Sequence, residues 1–240
     1  MNNVKNEEFS WIICPECKGT GKKKQRLQKK VRQNYQRDLA EFEASKFEGI
    51  APIPPSGHLS SCLNCSGSGL VSSAIKPVID NENFPHVAII GGGIGGVALA
   101  VACVHRGIPF TIYERDSSFD ERSQGYGLTL QQASKAIEGL GIFSLDKGVI
   151  STRHLVHKTD GEVIGEWGIR KWMPSDIKTN PKRTNIHIAR QALRLALLEQ
   201  LGGQNSIHWN HQLIDFEVSE DKSITLSFQF DGKITKAKAD

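Results

Sequence analysis

Residues 87–96 read Val87-Ala88-Ile89-Ile90-Gly91-Gly92-Gly93-Ile94-Gly95-Gly96. The apolar run His86–Ile90 stops at three glycines, the pattern of a buried parallel strand. Val97–Arg106 follows, rich in Ala, Val and Leu, with no breaker before Gly107. This predicts a helix closed by a glycine C-cap. A second strand is predicted at Phe110–Tyr113, ending on Glu114. Gly91, Gly93 and Gly96 stand as G-x-G-x-x-G between strand and helix, with Gly95 inside the motif. The first glycine permits the tight turn, the second lets the backbone approach a pyrophosphate, and the third lets the helix pack on the strand. The helix start aims free N–H groups and the positive end of its dipole at phosphates. Glu114 offers a carboxylate to a ribose diol and repels a 2′-phosphate. Strand, loop, helix, strand and terminal acid together predict a dinucleotide site of the FAD or NAD kind.

Outward from this core, residues 131–140 predict an amphipathic helix with Ala133, Ile137 and Leu140 on one face. Residues 188–201 predict another, with Leu193, Leu197, Leu198 and Leu201 inward and Gly202-Gly203 closing it. Strands are expected at 206–209, 212–218, 223–230 and 233–238, with Asp231-Gly232 as a hairpin turn.

Three segments in order resemble FAD-dependent monooxygenases of the aromatic-hydroxylase type, a group that includes the tetracycline-degrading flavin monooxygenases. The first is the glycine loop followed by Tyr113-Glu114-Arg115. The second is Arg122-Ser123-Gln124-Gly125-Tyr126-Gly127-Leu128-Thr129-Leu130. The third is Ile188-Ala189-Arg190-Gln191-Ala192-Leu193-Arg194. The resemblance spans residues 85–240 and selects FAD as the cofactor. It implies that Glu114 binds the adenosine ribose, that Arg115 lies near the adenine end, that Arg122 and Thr129 lie near the flavin, and that Arg190 contacts the FAD phosphates or ribityl chain. Cations at these places suit a dianionic pyrophosphate. The implied activity is hydroxylation of a small organic substrate with NAD(P)H and O2. Residues 146–187, with Trp167, Trp172 and Met173, would begin the substrate-binding sheet, their aromatics serving as pocket lining or as core. In that family a second Asp-Gly-containing segment and then a Gly-Asp segment that binds the flavin follow further on, and neither is matched in this sequence. The resemblance therefore implies an incomplete module. Two other classes suit the same residues: another flavin oxidoreductase on this fold, and a non-catalytic zinc- and dinucleotide-binding module.

Cys14-Pro15-Glu16-Cys17-Lys18-Gly19-Thr20-Gly21 and Cys62-Leu63-Asn64-Cys65-Ser66-Gly67-Ser68-Gly69 both fit C-x-x-C-x-G-x-G. Two-residue spacing lets both thiolates of a knuckle face one metal, and two knuckles complete a four-sulfur tetrahedral zinc site. A redox dithiol is the alternative, although such a pair is more often found at a helix N-terminus. The motif resembles the cysteine-rich zinc repeat of DnaJ-type chaperones. Cys103, among Ala and Val, is expected to pack in the core. Between the knuckles, residues 22–43 predict a helix with Leu27, Val31, Tyr35, Leu39 and Phe42 on one face. Its charge is basic first (Lys22 to Arg37) and acidic later (Asp38, Glu41, Glu43, Glu48). This helical arm is a candidate surface for a protein partner.

The expected class is thus α/β. A Rossmann-like FAD-binding βαβ unit is joined to an antiparallel β-meander and the start of a substrate-binding sheet, and a small zinc-binding segment precedes them. The expected divisions are 1–70 for the cysteine segment, 71–84 for a linker and 85–240 for the flavin domain. The chain has 240 residues, 38% of them hydrophobic, and a net charge of +4. That supports an ordinary soluble core and gives no general case for nucleic acid as partner. No apolar run is long enough for a membrane span, and the N-terminus lacks an apolar signal core. A reducing cytoplasm is the expected compartment for its five cysteines.

Overall fold

A computed structural model describes residues 10–121, 125–131, 136–150, 154–167 and 185–240. The chain forms two compact units, Cys14–Val71 and the residues up to Ile13 together with Ser72–Asp240. In chain order the strands are β1 (Ser10–Ile13), β2 (Lys22–Lys24), β3 (Leu59–Ser61), β4 (Leu70–Ser73), β5 (Val87–Ile90), β6 (Phe110–Tyr113), β7 (Gly127–Leu130), β8 (Val149–Ile150), β9 (His154–His157), β10 (Val163–Trp167), β11 (Ile186–Ala189), β12 (Ile207–His208), β13 (Gln212–Val218), β14 (Ile224–Phe230) and β15 (Lys233–Ala239). Helices described in full are α1 (Lys29–Ala44), α2 (Ile94–Val104) and α3 (Arg190–Glu199).

In the larger unit, β5 and β6 run parallel, joined through α2, with Val87 opposite Phe110 and Ile90 opposite Tyr113. Strand β12 adds in parallel on the far side of β6, giving the order β12–β6–β5. Alternation along the strands sends successive side chains to opposite faces. Ile89 and Ile112 enter the cluster of Val97, Val101, Leu193, Leu197 and Leu198 from α2 and α3. Ala88 and Tyr113 point the other way, against Leu226 and Phe228 of the meander β13–β14–β15. The Tyr113 and Phe228 rings stack at 4.3 Å. The sheet is therefore covered by helices on one side and by an antiparallel meander on the other. Asp231 (φ 47°) and Gly232 (φ 75°) close the β14–β15 hairpin with both central residues left-handed, as a type I′ turn requires. The end of the meander is tied to the start of β5: the His86 N–H donates to Asp240 Oδ2 at 3.0 Å. A second antiparallel sheet has the order β7–β11–β8, and β9 pairs with β10.

Several elements differ from the sequence expectation. Lys22–Lys24 is a strand, paired antiparallel with Leu59–Ser61. The helix therefore begins at Lys29 and leaves Leu27 outside it. Cross-strand hydrogen bonds next to each knuckle win over helical periodicity here. The loop expected at 51–61 gives its last three residues to that pairing, and the linker expected at 71–84 opens with the end of β4. Residues 188–189 close strand β11 rather than start the helix. Of the helix expected at 131–140, residues 132–135 lie outside the described residues, and Ile137–Leu140 is a 3-10 turn. Trp172 and Met173 also lie outside them. Cys103 is buried on α2, as expected. Among the described residues, no helix is long and apolar enough to cross a membrane.

Leu198 is fully buried where α3 packs on α2. Leu198→Ala should destabilise the larger unit by about 2–5 kcal/mol, read as a lower urea midpoint.

Candidate functional site

At the carboxyl ends of β5 and β6 lies a cleft of about 430 Å³. Its walls come from the glycine loop (Ile90, Gly91, Gly93, Ile94), from Tyr113–Asp116, from α3 (Arg190, Gln191, Arg194) and from His211–Leu213. Helix α2 starts at its floor with Gly93 as N-cap and no side-chain cap. The first N–H groups of α2 therefore remain available to an anion. Apart from Gly93 and its two chain neighbours, no atom of the described residues lies within 4 Å of where a Cβ on Gly93 would sit. Space for a ligand thus begins at the backbone. Gly96 is set differently: a Cβ there would collide with the Gly91 carbonyl oxygen, so the loop and the first turn of α2 touch backbone to backbone.

The loop is held at Gly92. Glu114 is buried, and its Oε2 accepts the Gly92 N–H at 2.7 Å while its Oε1 accepts the Asp116 N–H at 3.1 Å. From the other side, Arg194 Nε donates to the Gly92 carbonyl at 2.7 Å. Arg194 is 7% exposed. Its guanidinium lies over the rings of Phe119 (4.9 Å) and Trp209 (5.4 Å), and Nη1 donates to the Phe119 carbonyl at 3.4 Å. Both backbone polar groups of Gly92 are bonded to charged side chains, the stronger class of hydrogen bond.

The structure brings Gly91, Gly93, Glu114, Arg115 and Arg190 to this one cleft. Gly95 and Gly96 follow in α2 and do not line it. Thr129 sits on β7, its Oγ1 3.2 Å from His187 Nδ1, and does not line it either. Arg122 lies outside the described residues. The Arg190 guanidinium rests 5.1 Å above the Tyr126 ring. Glu114 differs from the sequence picture of a carboxylate wholly given to a ribose, since each oxygen already accepts one backbone N–H. Its remaining lone pairs are what it can offer a ligand. Sequence reasoning missed Arg194. The signal was a charged residue at the inward phase of the Leu193, Leu197, Leu198 stripe. Arg115, Arg190 and Arg194 outnumber Glu114 and Asp116 among the charged residues of the cleft, a balance suited to an anionic group.

A second candidate site lies in the smaller unit. Cys14, Cys17, Cys62 and Cys65 are all buried, and their sulfurs lie within 4.8 Å of one another. Cys14 and Cys62 are 3.9 Å apart and Cys17 and Cys65 are 3.7 Å apart, sulfur to sulfur. The two knuckles follow one plan. Gly21 N–H donates to Cys17 Sγ and Gly69 N–H to Cys65 Sγ. Across the pair, Cys14 N–H donates to the Gly69 carbonyl and Cys62 N–H to the Gly21 carbonyl. A Cβ on Gly21 would strike the Gly67 carbonyl, and one on Gly69 would strike the Gly19 carbonyl. Both glycines are thus demanded by the other knuckle. Burial opposes ionisation of Cys14, yet hydrogen bonds from the Cys17 backbone and the Asn64 amide bring it down to about 6. Burial pushes Cys17 up to about 11. Four convergent sulfurs, some favoured as thiolate, can hold a metal ion.

No family model matches the chain. It is 26% identical over 156 residues to a probable FAD-dependent monooxygenase of Arthroderma benhamiae, covering 60% of this chain and 33% of that one. It is 44% identical over 59 residues to the FAD-dependent monooxygenase sor5 of Hypocrea jecorina, covering 24% of this chain and 13% of that one. The chain thus spans a third or less of the length of these curated relatives. Among solved structures, that of FqzB is similar in fold, with TM-score 0.51 and 15% identity over 69% of this chain and 36% of that one. The fold is mixed α/β and similar to that of FqzB.

If Arg194 fixes the glycine loop, Arg194→Met should keep the aromatic packing and lose the bond to the Gly92 carbonyl. The expected cost is about 1.5–3 kcal/mol. Hydrogen exchange should report it as faster exchange at Gly92–Ile94 than in the parent protein.

Proposed function

We propose that residues 85–240 form the FAD-binding part of an FAD-dependent monooxygenase. In the whole protein, NAD(P)H is the reductant and O2 the oxygen source for hydroxylating a small organic substrate. The observation that carries this is the cleft at the start of α2: uncapped helix N–H groups and an open Gly93 face, between Arg115 and Arg190. An anionic pyrophosphate meets each requirement there. The relatives from Arthroderma benhamiae and Hypocrea jecorina are both named for FAD, which supports FAD over NAD.

In this assignment Gly91, Gly93 and the first turn of α2 bind the pyrophosphate through N–H groups, and Gly95 and Gly96 keep that turn free of side chains. Arg115 and Arg190 add positive charge. Glu114 accepts ribose hydroxyls on its remaining lone pairs while fixing the loop. Arg122 and Thr129 are assigned to the flavin end. Bound FAD supplies the redox and oxygen chemistry, and the protein binds, orients and excludes water.

The four cysteines are proposed to hold one structural zinc. A tetrahedron with Zn–S bonds of about 2.3 Å has S···S edges of about 3.8 Å. The two measured cross-knuckle separations, 3.9 and 3.7 Å, support that size. Free buried thiols of this kind suit a reducing compartment such as the cytoplasm.

Two measurements test these assignments. Gly93→Val should block the pyrophosphate sterically, and Arg190→Ala should weaken FAD about tenfold to a hundredfold through one lost charge-assisted bond. Flavin-fluorescence titration reads both, and equal affinity in parent and variants would remove FAD from this cleft. Elemental analysis of anaerobically purified protein should find about one zinc per chain, lost in Cys14→Ser. Chelation should unfold the smaller unit by circular dichroism, since structural zinc binding is itself folding free energy.

A further inference from the structure

The modest overall charge averages over an uneven distribution. Residues 14–71 carry ten Lys and Arg against five Asp and Glu, while the rest of the chain carries 20 against 21. The excess is concentrated further. Between Glu16 and Asp38 lie nine cations, Lys18 through Arg37, and no acid. All nine are exposed. Lys23 pairs with Glu16, and Arg37 pairs with Asp38 and Glu41. The other seven make no ion pair among the described residues.

Strand β2 presents Lys22, Lys23 and Lys24 to solvent, and α1 begins at Lys29 with none of its residues buried. Lys29, Arg32, Gln33 and Gln36 line one shallow hollow on that helix. At about 100° per residue they share a face about 100° wide. The apolar stripe of Val31, Tyr35, Leu39 and Phe42 is centred about 110° round the helix, so the polar face is separate from it. Two cations and two amides thus stand together over the first two turns. Tyr35 is the only aromatic residue between Lys18 and Arg37. Glu43 returns to the polar face about 10 Å further along the axis than Gln36.

We infer that this basic stretch of the smaller unit binds duplex DNA, with the first two turns of α1 in the major groove and Lys22, Lys24 and Arg26 on phosphates at its rim. None of these residues belongs to the cleft or to the cysteine site. Charge complementarity identifies the partner. Duplex DNA carries one negative charge per about 1.7 Å of axis, and cations that neutralise its phosphates release the condensed counterions. The amides and the missing aromatics identify the form. Lys and Arg hold the backbone, while Gln33 and Gln36 offer a donor and an acceptor together to base edges, those of adenine above all. A helix about 10–12 Å across fits a major groove about 12 Å wide. In duplex RNA that groove is too narrow for side chains to read. Single strands are held by bases stacking on aromatic rings, and the polar face has none. A membrane surface would take an apolar stripe with cations at its margins, whereas the hollow and the stripe lie on different faces. A helix that enters N-terminal end first leaves Glu43 outside the groove.

Fluorescence anisotropy of the full chain with a labelled duplex of about 20 base pairs, across about 50–300 mM salt, tests this. The expected result is a Kd on the order of 1–100 µM near physiological salt and a slope of log K against log salt of about −4 to −6, as about four to seven phosphate contacts dictate. Lys29→Gln/Arg32→Gln should make that slope shallower by about 1.8 and weaken binding at least about tenfold at about 50 mM salt. Removing cations from the start of a helix relieves their opposition to its dipole, so unfolding would not explain the loss, and circular dichroism checks that the variant folds. Lys233→Gln/Lys236→Gln, at exposed positions of β15, should leave the slope unchanged. Single-stranded DNA and duplex RNA of the same length should bind at least about fivefold more weakly than duplex DNA. Four outcomes overturn the proposal: no binding up to about 100 µM protein at about 50 mM salt, an unchanged slope in the α1 variant, the same fall in the β15 variant, or equal affinity for single-stranded DNA or duplex RNA.

Discussion

Two hydrogen bonds on one residue, Gly92, set the geometry around which the larger unit is arranged. Glu114, at the end of β6, takes the Gly92 N–H, and Arg194, inside α3, gives a proton to the Gly92 carbonyl. Two elements distant in sequence are thereby fixed to the same loop. The loop in turn carries the start of α2, and its outer face is the floor of the cleft. A buried carboxylate and a buried guanidinium are costly to desolvate unless well bonded. Here each finds backbone partners as well as the loop, and the guanidinium also lies over the Phe119 and Trp209 rings. Electrostatic expense and loop order are therefore one and the same feature.

How much of this could be seen beforehand varies by element. Strands β5 and β6, helix α2 and the hairpin at Asp231-Gly232 were legible because each rests on local signals: an apolar run, a glycine stop, a turn dipeptide. The gathering of Gly91, Gly93 and Glu114 was legible from motif spacing, and that of Arg190 from the family resemblance alone. Arg194 was not singled out, because its role depends on how α3 lies against the loop, which no local pattern encodes. Lys22–Lys24 went the other way: three lysines before a periodic stretch read as helix, and only the distant Leu59–Ser61 turns them into a strand. The carboxylate of Glu114 was read as a ribose acceptor, but its burial and its bonds to Gly92 and Asp116 follow from tertiary packing.

The covering of both sheet faces explains the mixed character of the strands. Each of β5 and β6 has only four residues. Their alternate side chains serve two different cores, one helical and one formed by the meander. Tyr113 stacks on Phe228 while its neighbour Ile112 is fully buried among the helices. A slip of one residue would exchange the two sets, so register in this short sheet is strongly determined.

The reciprocal knuckles carry a different consequence. Cys14 and Cys62 are 48 residues apart, yet the backbone bonds from Cys14 to Gly69 and from Cys62 to Gly21 hold the two segments directly together. Everything between Lys24 and Leu59 enters and leaves at that fixed junction. Closing a loop costs only logarithmically more as it lengthens, so the junction scarcely registers what it encloses. The knuckle pair behaves as a socket, and the arm as an exchangeable fitting that can change in length or surface while the sulfurs keep their places.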